Sequence, residues 1–123
     1  MPAQAVVDTR YEILDEAGRG ACAVVYRARD VTTGQLVALK TLEPGRIHAP
    51  AAVGRLVHEA EVMARVEHPH AMPVLDFGWF RDGRPWFITE LLDGQGLDAR
   101  LADGPLAPLL AVRVLRQICD VLA

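Results

Sequence analysis

Gly18 and Gly20 stand two residues apart in the stretch AGRGACAVVY, and Lys40 closes the apolar run Leu36-Val37-Ala38-Leu39. Glycines let a backbone approach a bulky anion, because no Cβ stands between the amides and the ligand. Successive amides in such a turn form a concave nest that favours phosphate oxygens. A lysine at the end of a strand supplies a positive charge at a set place. Glycine turn plus held cation is the chemistry of a nucleotide polyphosphate site.

Strands must position these groups. Tyr11-Glu12-Ile13-Leu14 reads as a short strand entering the turn. After it, Val24, Tyr26 and Ala28 alternate with Val25, Arg27 and Arg29, the period of a half-buried strand. The polar Asp30–Gln35 stretch carries Gly34 and reads as a hairpin connection. Leu36–Leu42 completes a β-meander. Pro44, Gly45 and Pro50 then break the chain.

Residues 51–66 have a helical pattern. At about 100° per residue, Leu56, Met63 and Val66 share one face, with Val62 near its edge. Glu59 falls in the middle of that face, where an acid is costly unless a cation meets it. The best-placed strand cation is Lys40; the alternative is a helix-surface acid at the edge of the core. Glu61 points the other way and reads as a solvated charge. Further along, residues 72–80 and 86–92 are β-like, and Asp82-Gly83 between them is a hairpin signal. Residues 93–96 form a link, residues 97–101 a short helix, and Pro108 suits the first turn of a last one. Leu110, Val114, Leu115, Ile118 and Leu122 give that last helix a wide apolar stripe needing a cover.

The bulk numbers bound the class. The 123 residues are 51% hydrophobic and 24% charged, with a formal net charge of -3. This is an ordinary globular composition, long enough for a modest core. The slight acidity argues against nucleic-acid binding. Residues 1–10 read as a loose leader without the features of a signal peptide. No stretch reaches the ~20 apolar residues of a membrane span. Only Cys22 and Cys119 occur, so the expected setting is the reducing cytoplasm. His68-Pro69-His70 has no partners at zinc spacing, so no metal ligand is assigned.

The glycine turn fits the dinucleotide pattern G-x-G-x-x-G/A, but that site needs a helix directly after the glycines. A β-branched alternating run follows instead. A phosphate loop of the Gly-Lys-Ser/Thr type fails as well. Strand, glycine turn, two strands ending in lysine, then a helix with an inward glutamate resembles the N-lobe of protein kinases. The chain is most similar to bacterial Ser/Thr kinases of the eukaryotic-like type. AGRGACAVVY resembles their glycine-rich loop and Val37-Ala38-Leu39-Lys40 their V-A-I-K strand. HEAEVMARVEHPH resembles their C-helix and the His-Pro segment after it, and FITELLDG the fifth strand and hinge.

This resemblance implies an α+β fold: a five-stranded antiparallel sheet with one helix, a hinge and the first C-lobe helices. The N-lobe would run over residues 11–92 and the C-lobe start over 93–123. It implies ATP as ligand, with Gly18 and Gly20 covering the phosphates and Lys40 holding them, oriented by Glu59. Ala17, Val25 and Ala38 would flank the adenine, Thr89 would stand at the back of the pocket, and Glu90 and Leu92 would offer hinge backbone. Plain strand packing is the alternative for Val25, Ala38 and Thr89. A buried pair of the Lys40–Glu59 kind would cost ~3–5 kcal/mol to break.

Departures from the family pattern are visible. Ala23 replaces the third glycine, at ~1–2 kcal/mol if a left-handed backbone is needed there. Ala17 stands where a larger aliphatic residue is usual, Cys22 reads as a small filler at the loop tip, Gly96 sits at the ribose position, and His70 replaces an asparagine. Asp76-Phe77-Gly78 spells the family's magnesium-binding motif but lies on the fourth family strand, before any catalytic loop, and is rejected as that motif. No His-Arg-Asp loop or Ala-Pro-Glu occurs. Magnesium is expected for the complete family domain, yet its ligands are not assigned here, and neither is a catalytic base. The expectation is therefore the ATP-binding part of a Ser/Thr kinase domain, cut before its catalytic loop and inactive alone. The alternative is a non-catalytic kinase-like module that binds nucleotide or docks a partner on helix 108–123.

Overall fold

The alternating runs become strands because each has one face that must leave water. The computed structural model describes residues 6–20, 23–44, 50–92 and 97–122. Its elements are β1 (Val6–Val7), β2 (Tyr11–Arg19), β3 (Ala23–Asp30), β4 (Leu36–Leu42), α1 (Pro50–Arg65), β5 (Val74–Trp79), β6 (Pro85–Glu90), α2 (Leu97–Ala102) and α3 (Pro108–Leu122). Strands β2 to β6 form the expected antiparallel sheet, in the order β2-β3-β4-β6-β5. The chain leaves β4, crosses through α1 and returns as the β5–β6 hairpin, with β6 inserted beside β4.

One expectation is corrected at the N-terminus. Residues 6–10 are not a loose leader: Val6 and Val7 pair with Glu12 and Tyr11 and add a sixth, edge strand. The connecting turn holds Asp8 at φ 53° and Thr9 at φ 56°, and the Arg10 amide donates to the Val7 carbonyl at 3.0 Å. Positive φ at both central residues matches the twist of a hairpin. The pattern without Gly or Asn-Gly hid it from sequence reasoning. Residues 1–5 lie outside the described residues.

The sheet has two apolar faces. On the concave face Val7, Tyr11, Ile13, Val24, Tyr26, Ala28, Val37, Leu39, Trp86 and Ile88 form one buried cluster. On the other face Leu42 and Phe87 pack against Ala52, Leu56 and Ala60 of α1, with Met63 partly buried alongside. Val62, expected near the apolar face, is exposed, and Val66 lies just beyond the helix. Small alanines make the actual contact, because they let α1 lie close to the sheet.

The concave face closes on itself. The Tyr11 hydroxyl donates to the Asp76 carboxylate at 2.7 Å, joining β2 to β5, four places apart in the sheet order. Burial, with the hydrogen bond to Asp76, pushes the Tyr11 phenol up from its ordinary value. The Trp86 ring meets Tyr11 edge-on at 5.7 Å and slides under Gly78, where an added Cβ would come within 2.3 Å of the indole. Glycine at 78 is thus a packing requirement of the tryptophan.

Turns are secured by polar groups. Asp30 takes a two-pronged ion pair from Arg10 at 3.0–3.3 Å and caps the β3–β4 turn through the Thr32 amide at 2.9 Å. Gly34, at φ 76°, supplies the left-handed residue that this turn needs. Arg84, buried, donates to the Leu42 carbonyl at 2.8 Å and stacks on Phe80.

Gly78→Ala should lower stability by about 1–3 kcal/mol in urea unfolding, the usual cost of overpacking. The Arg10 hydrogen bond holds the Asp30 carboxyl below its ordinary 3.8. Its stabilising effect is then present above that pH and lost as acid protonates the folded form. Asp30→Asn should unfold at lower urea than the parent at pH 7, with the gap closing in titrations below pH 3.8.

Candidate functional site

Register decides which side chains meet. β4 pairs with β3 through Val25↔Lys40 and Arg27↔Ala38, and with β6 through Ala38↔Thr89 and Lys40↔Phe87. Paired residues share a face, and alternation sends their neighbours to the other one. Val25, Ala38, Lys40, Phe87 and Thr89 therefore all face α1, while Val24, Leu39 and Ile88 enter the concave core.

Between that face, α1 and the chain leaving β6 lies a cleft of about 300 Å³. Its walls include Val25, Ala38, Lys40, Glu59, Thr89, Glu90 and Leu92, seven of the residues singled out in the sequence. Met63, Met72, Phe87 and Leu91 complete it. These four were missed because each reads as ordinary core or loop; only Met63, on the same helix face as Glu59, carried a usable signal.

The polar centre of the cleft is an ion pair. Lys40 Nζ donates to Glu59 Oε1 at 2.7 Å, tying β4 to α1. The expectation of a buried pair is corrected: the side chains retain 30% and 42% of their exposure. Water reaches both, so the pair contributes on the scale of surface salt bridges, ~0–1 kcal/mol. Its role is to fix where the ammonium points. At the other end, Thr89 is buried with its hydroxyl on the Glu90 carbonyl at 3.3 Å, and Leu92 is exposed.

The glycine turn sits at one side. Gly18 pairs with Val25, and the register slips between Glu16 and Gly18, leaving Ala17 in a bulge. The Gly20 amide donates to the Ala23 carbonyl at 2.8 Å. Ala17, Gly18 and Gly20 are not among the residues that line the cleft. Neither glycine is at positive φ, and a Cβ on Gly18 would meet nothing within 4 Å. The fold itself therefore has no steric use for glycine at 18. Ala23 begins β3 opposite Leu42. Cys22 and Gly96 lie outside the described residues.

Asp76 is on the wrong side of the sheet for this cleft. It pairs with Ile88 and accepts the Tyr11 hydroxyl in the concave core. Asp76-Phe77-Gly78 is thus a structural strand segment, as its place in the chain suggested. His68 and His70 make a local turn, the His70 amide donating to His68 Nδ1 at 3.0 Å. No residue of α3 is buried; of its apolar stripe, Leu110, Leu115, Ile118 and Leu122 are exposed and Val114 is half-buried beside a cavity that His70 also lines. No helix among them is long and apolar enough to cross a membrane.

The protein kinase domain family matches residues 11–123. Among characterised relatives, the chain is 33% identical over 123 residues to serine/threonine-protein kinase pkn2 of Myxococcus xanthus, covering 99% of this chain and 15% of that protein. It is 37% identical over 109 residues to serine/threonine-protein kinase PknE of Mycobacterium tuberculosis, covering 88% of this chain and 19% of that protein. The solved PknI kinase domain of M. tuberculosis superposes with a TM-score of 0.79 at 26% identity, over 99% of this chain and 49% of that one. The chain thus spans less than a fifth of the length of these two curated relatives.

Glu59→Gln should leave the unfolding free energy from urea titration within about 1 kcal/mol of the parent, as expected for a solvent-reached pair. A loss of 3 kcal/mol or more would instead mark a pair buried in solution.

Proposed function

Because the chain belongs to the protein kinase family, we propose that residues 11–92 are the ATP-binding N-lobe of a Ser/Thr protein kinase domain and residues 93–123 the start of its C-lobe. The observation that carries this reading is the 2.7 Å Lys40–Glu59 ion pair set in the wall of an apolar cleft. A lysine aimed by a helix carboxylate is what binding an α/β-phosphate requires.

The residues fit ATP by their chemistry. Val25 and Ala38 offer flat apolar walls for an adenine, and Thr89 limits the depth behind it. Glu90 and Leu92 contribute backbone donors and acceptors where β6 ends. Gly18 and Gly20 put no side chain between the turn and a phosphate, with Ala17 in the adjoining bulge, and the absence of any packing demand on Gly18 supports this role. ATP would supply the γ-phosphoryl group for transfer to a protein Ser or Thr. That reaction is the whole domain's: it needs a base and magnesium ligands that none of the residues assigned here provides. A cytoplasmic setting, where ATP and free thiols coexist, goes with the proposal.

A second reading is favoured by the uncovered stripe of α3. The chain would then serve as a kinase-like binding module, with that apolar face packed on a partner protein. Sedimentation of the pure chain separates the two: a dedicated module should run as a folded, monodisperse species alone or with its partner, whereas part of a kinase domain with that face open should aggregate.

Calorimetric titration with ATP and with adenosine tests the first reading. Lys40→Met should weaken ATP binding at least about 10-fold, the effect of losing a charge-assisted contact of ~1.5–3 kcal/mol, and leave adenosine binding unchanged. Equal ATP affinity in the two proteins would overturn the assignment of Lys40.

A further inference from the structure

Arg19 lies between the two glycines, but its side chain is on the other side of the sheet from the cleft. Gly18 pairs with Val25, which lines the cleft, whereas Arg19 pairs with Val24, wholly buried in the concave core. The guanidinium of Arg19 engages two carboxylates at the rim of that core. Nη2 donates to Glu16 Oε1 at 2.6 Å, and Nη1 donates to Glu43 Oε1. Glu16 is on the same strand. Glu43 follows the end of β4, 24 residues further along the chain and across β3.

The pair therefore spans a whole strand and ties the base of the glycine turn to the strand that carries Lys40. Glycines bring no side chain to anchor the turn, and a Cβ at Gly18 would touch nothing. Beyond Arg19 the turn is closed by the Gly20 amide on the Ala23 carbonyl. A turn that is free by composition is thus restrained from its outer face.

We infer that Arg19, held by Glu43, is a positioning residue that fixes the base of the glycine turn, Gly18–Gly20, before nucleotide arrives. The inference rests on the nucleotide reading above. Its physical basis is preorganisation: a turn already held at its base loses less freedom when phosphates order it. Arg19 and Glu43 keep 47% and 29% of their side-chain exposure, so the pair is screened by salt and its effect is modest.

Calorimetry with ATP and with adenosine on the chain and on Arg19→Gln, Glu43→Gln and the double variant tests this. Each single variant should bind ATP about 2- to 5-fold more weakly, the range for exposed ion pairs. The double variant should be no weaker than either, adenosine affinity should not move, and the melting temperature should stay that of the parent. Tighter ATP binding by Glu43→Gln, with Arg19→Gln still weakening it in that background, would mean direct contact of Arg19 with phosphate and overturn the inference. Unchanged ATP affinity in Glu43→Gln, or equal losses for ATP and adenosine, would overturn it too. Failure of the parent chain to bind either ligand would instead overturn the nucleotide reading itself.

Discussion

Strand β4 has no freedom to slip, and the site depends on that. Its edges are hydrogen-bonded to β3 and β6, and both its faces are covered. Val37 and Leu39 are buried in the concave core, while Leu42 packs under α1. A shift of one residue would send Val37 and Leu39 to the cleft and Lys40 into the apolar core. Burial on both faces therefore sets the lysine's position more firmly than any contact the lysine itself makes.

The helix follows from the same constraint. Ala52, Leu56 and Ala60 dock on Leu42 and Phe87, and this seats Glu59 within hydrogen-bonding distance of Lys40. Because the pair remains open to water, its attraction adds little to folding. The energy that holds the site together comes from apolar burial beside it, and the ion pair only selects a direction for the ammonium.

Identical letters can mean different chemistry once a face is assigned. Asp76-Phe77-Gly78 reads like a metal-binding motif, yet Asp76 turns to Tyr11 and Gly78 makes room for Trp86. The aspartate is a clasp between distant strands, and the glycine is a slot for an indole. Both roles need residues more than seven positions away, so no local reading of the three letters could supply them.

Strand and helix identities and the β3–β4 and β5–β6 turns were legible in the chain, because periodicity and glycine punctuation are local signals. The pairing of Lys40 with Glu59 came from the family resemblance, since the helical pattern alone left Glu59 open as a surface acid. Chain order alone was enough to reject the metal-binding reading of Asp76. The β1 strand was not legible, since its turn uses Asp8 and Thr9 in a conformation that glycine or asparagine normally announces. Nor were Met63, Met72 and Phe87 as cleft walls, the solvent exposure of the ion pair, or the hold of Glu43 on Arg19. Each depends on which residues the curled sheet and its helix bring together across many positions, and on how far water follows them in. The sequence by itself determined which groups could serve a nucleotide; the tertiary structure decided which of them share a cleft, because only register and sheet curvature assign each side chain to a face.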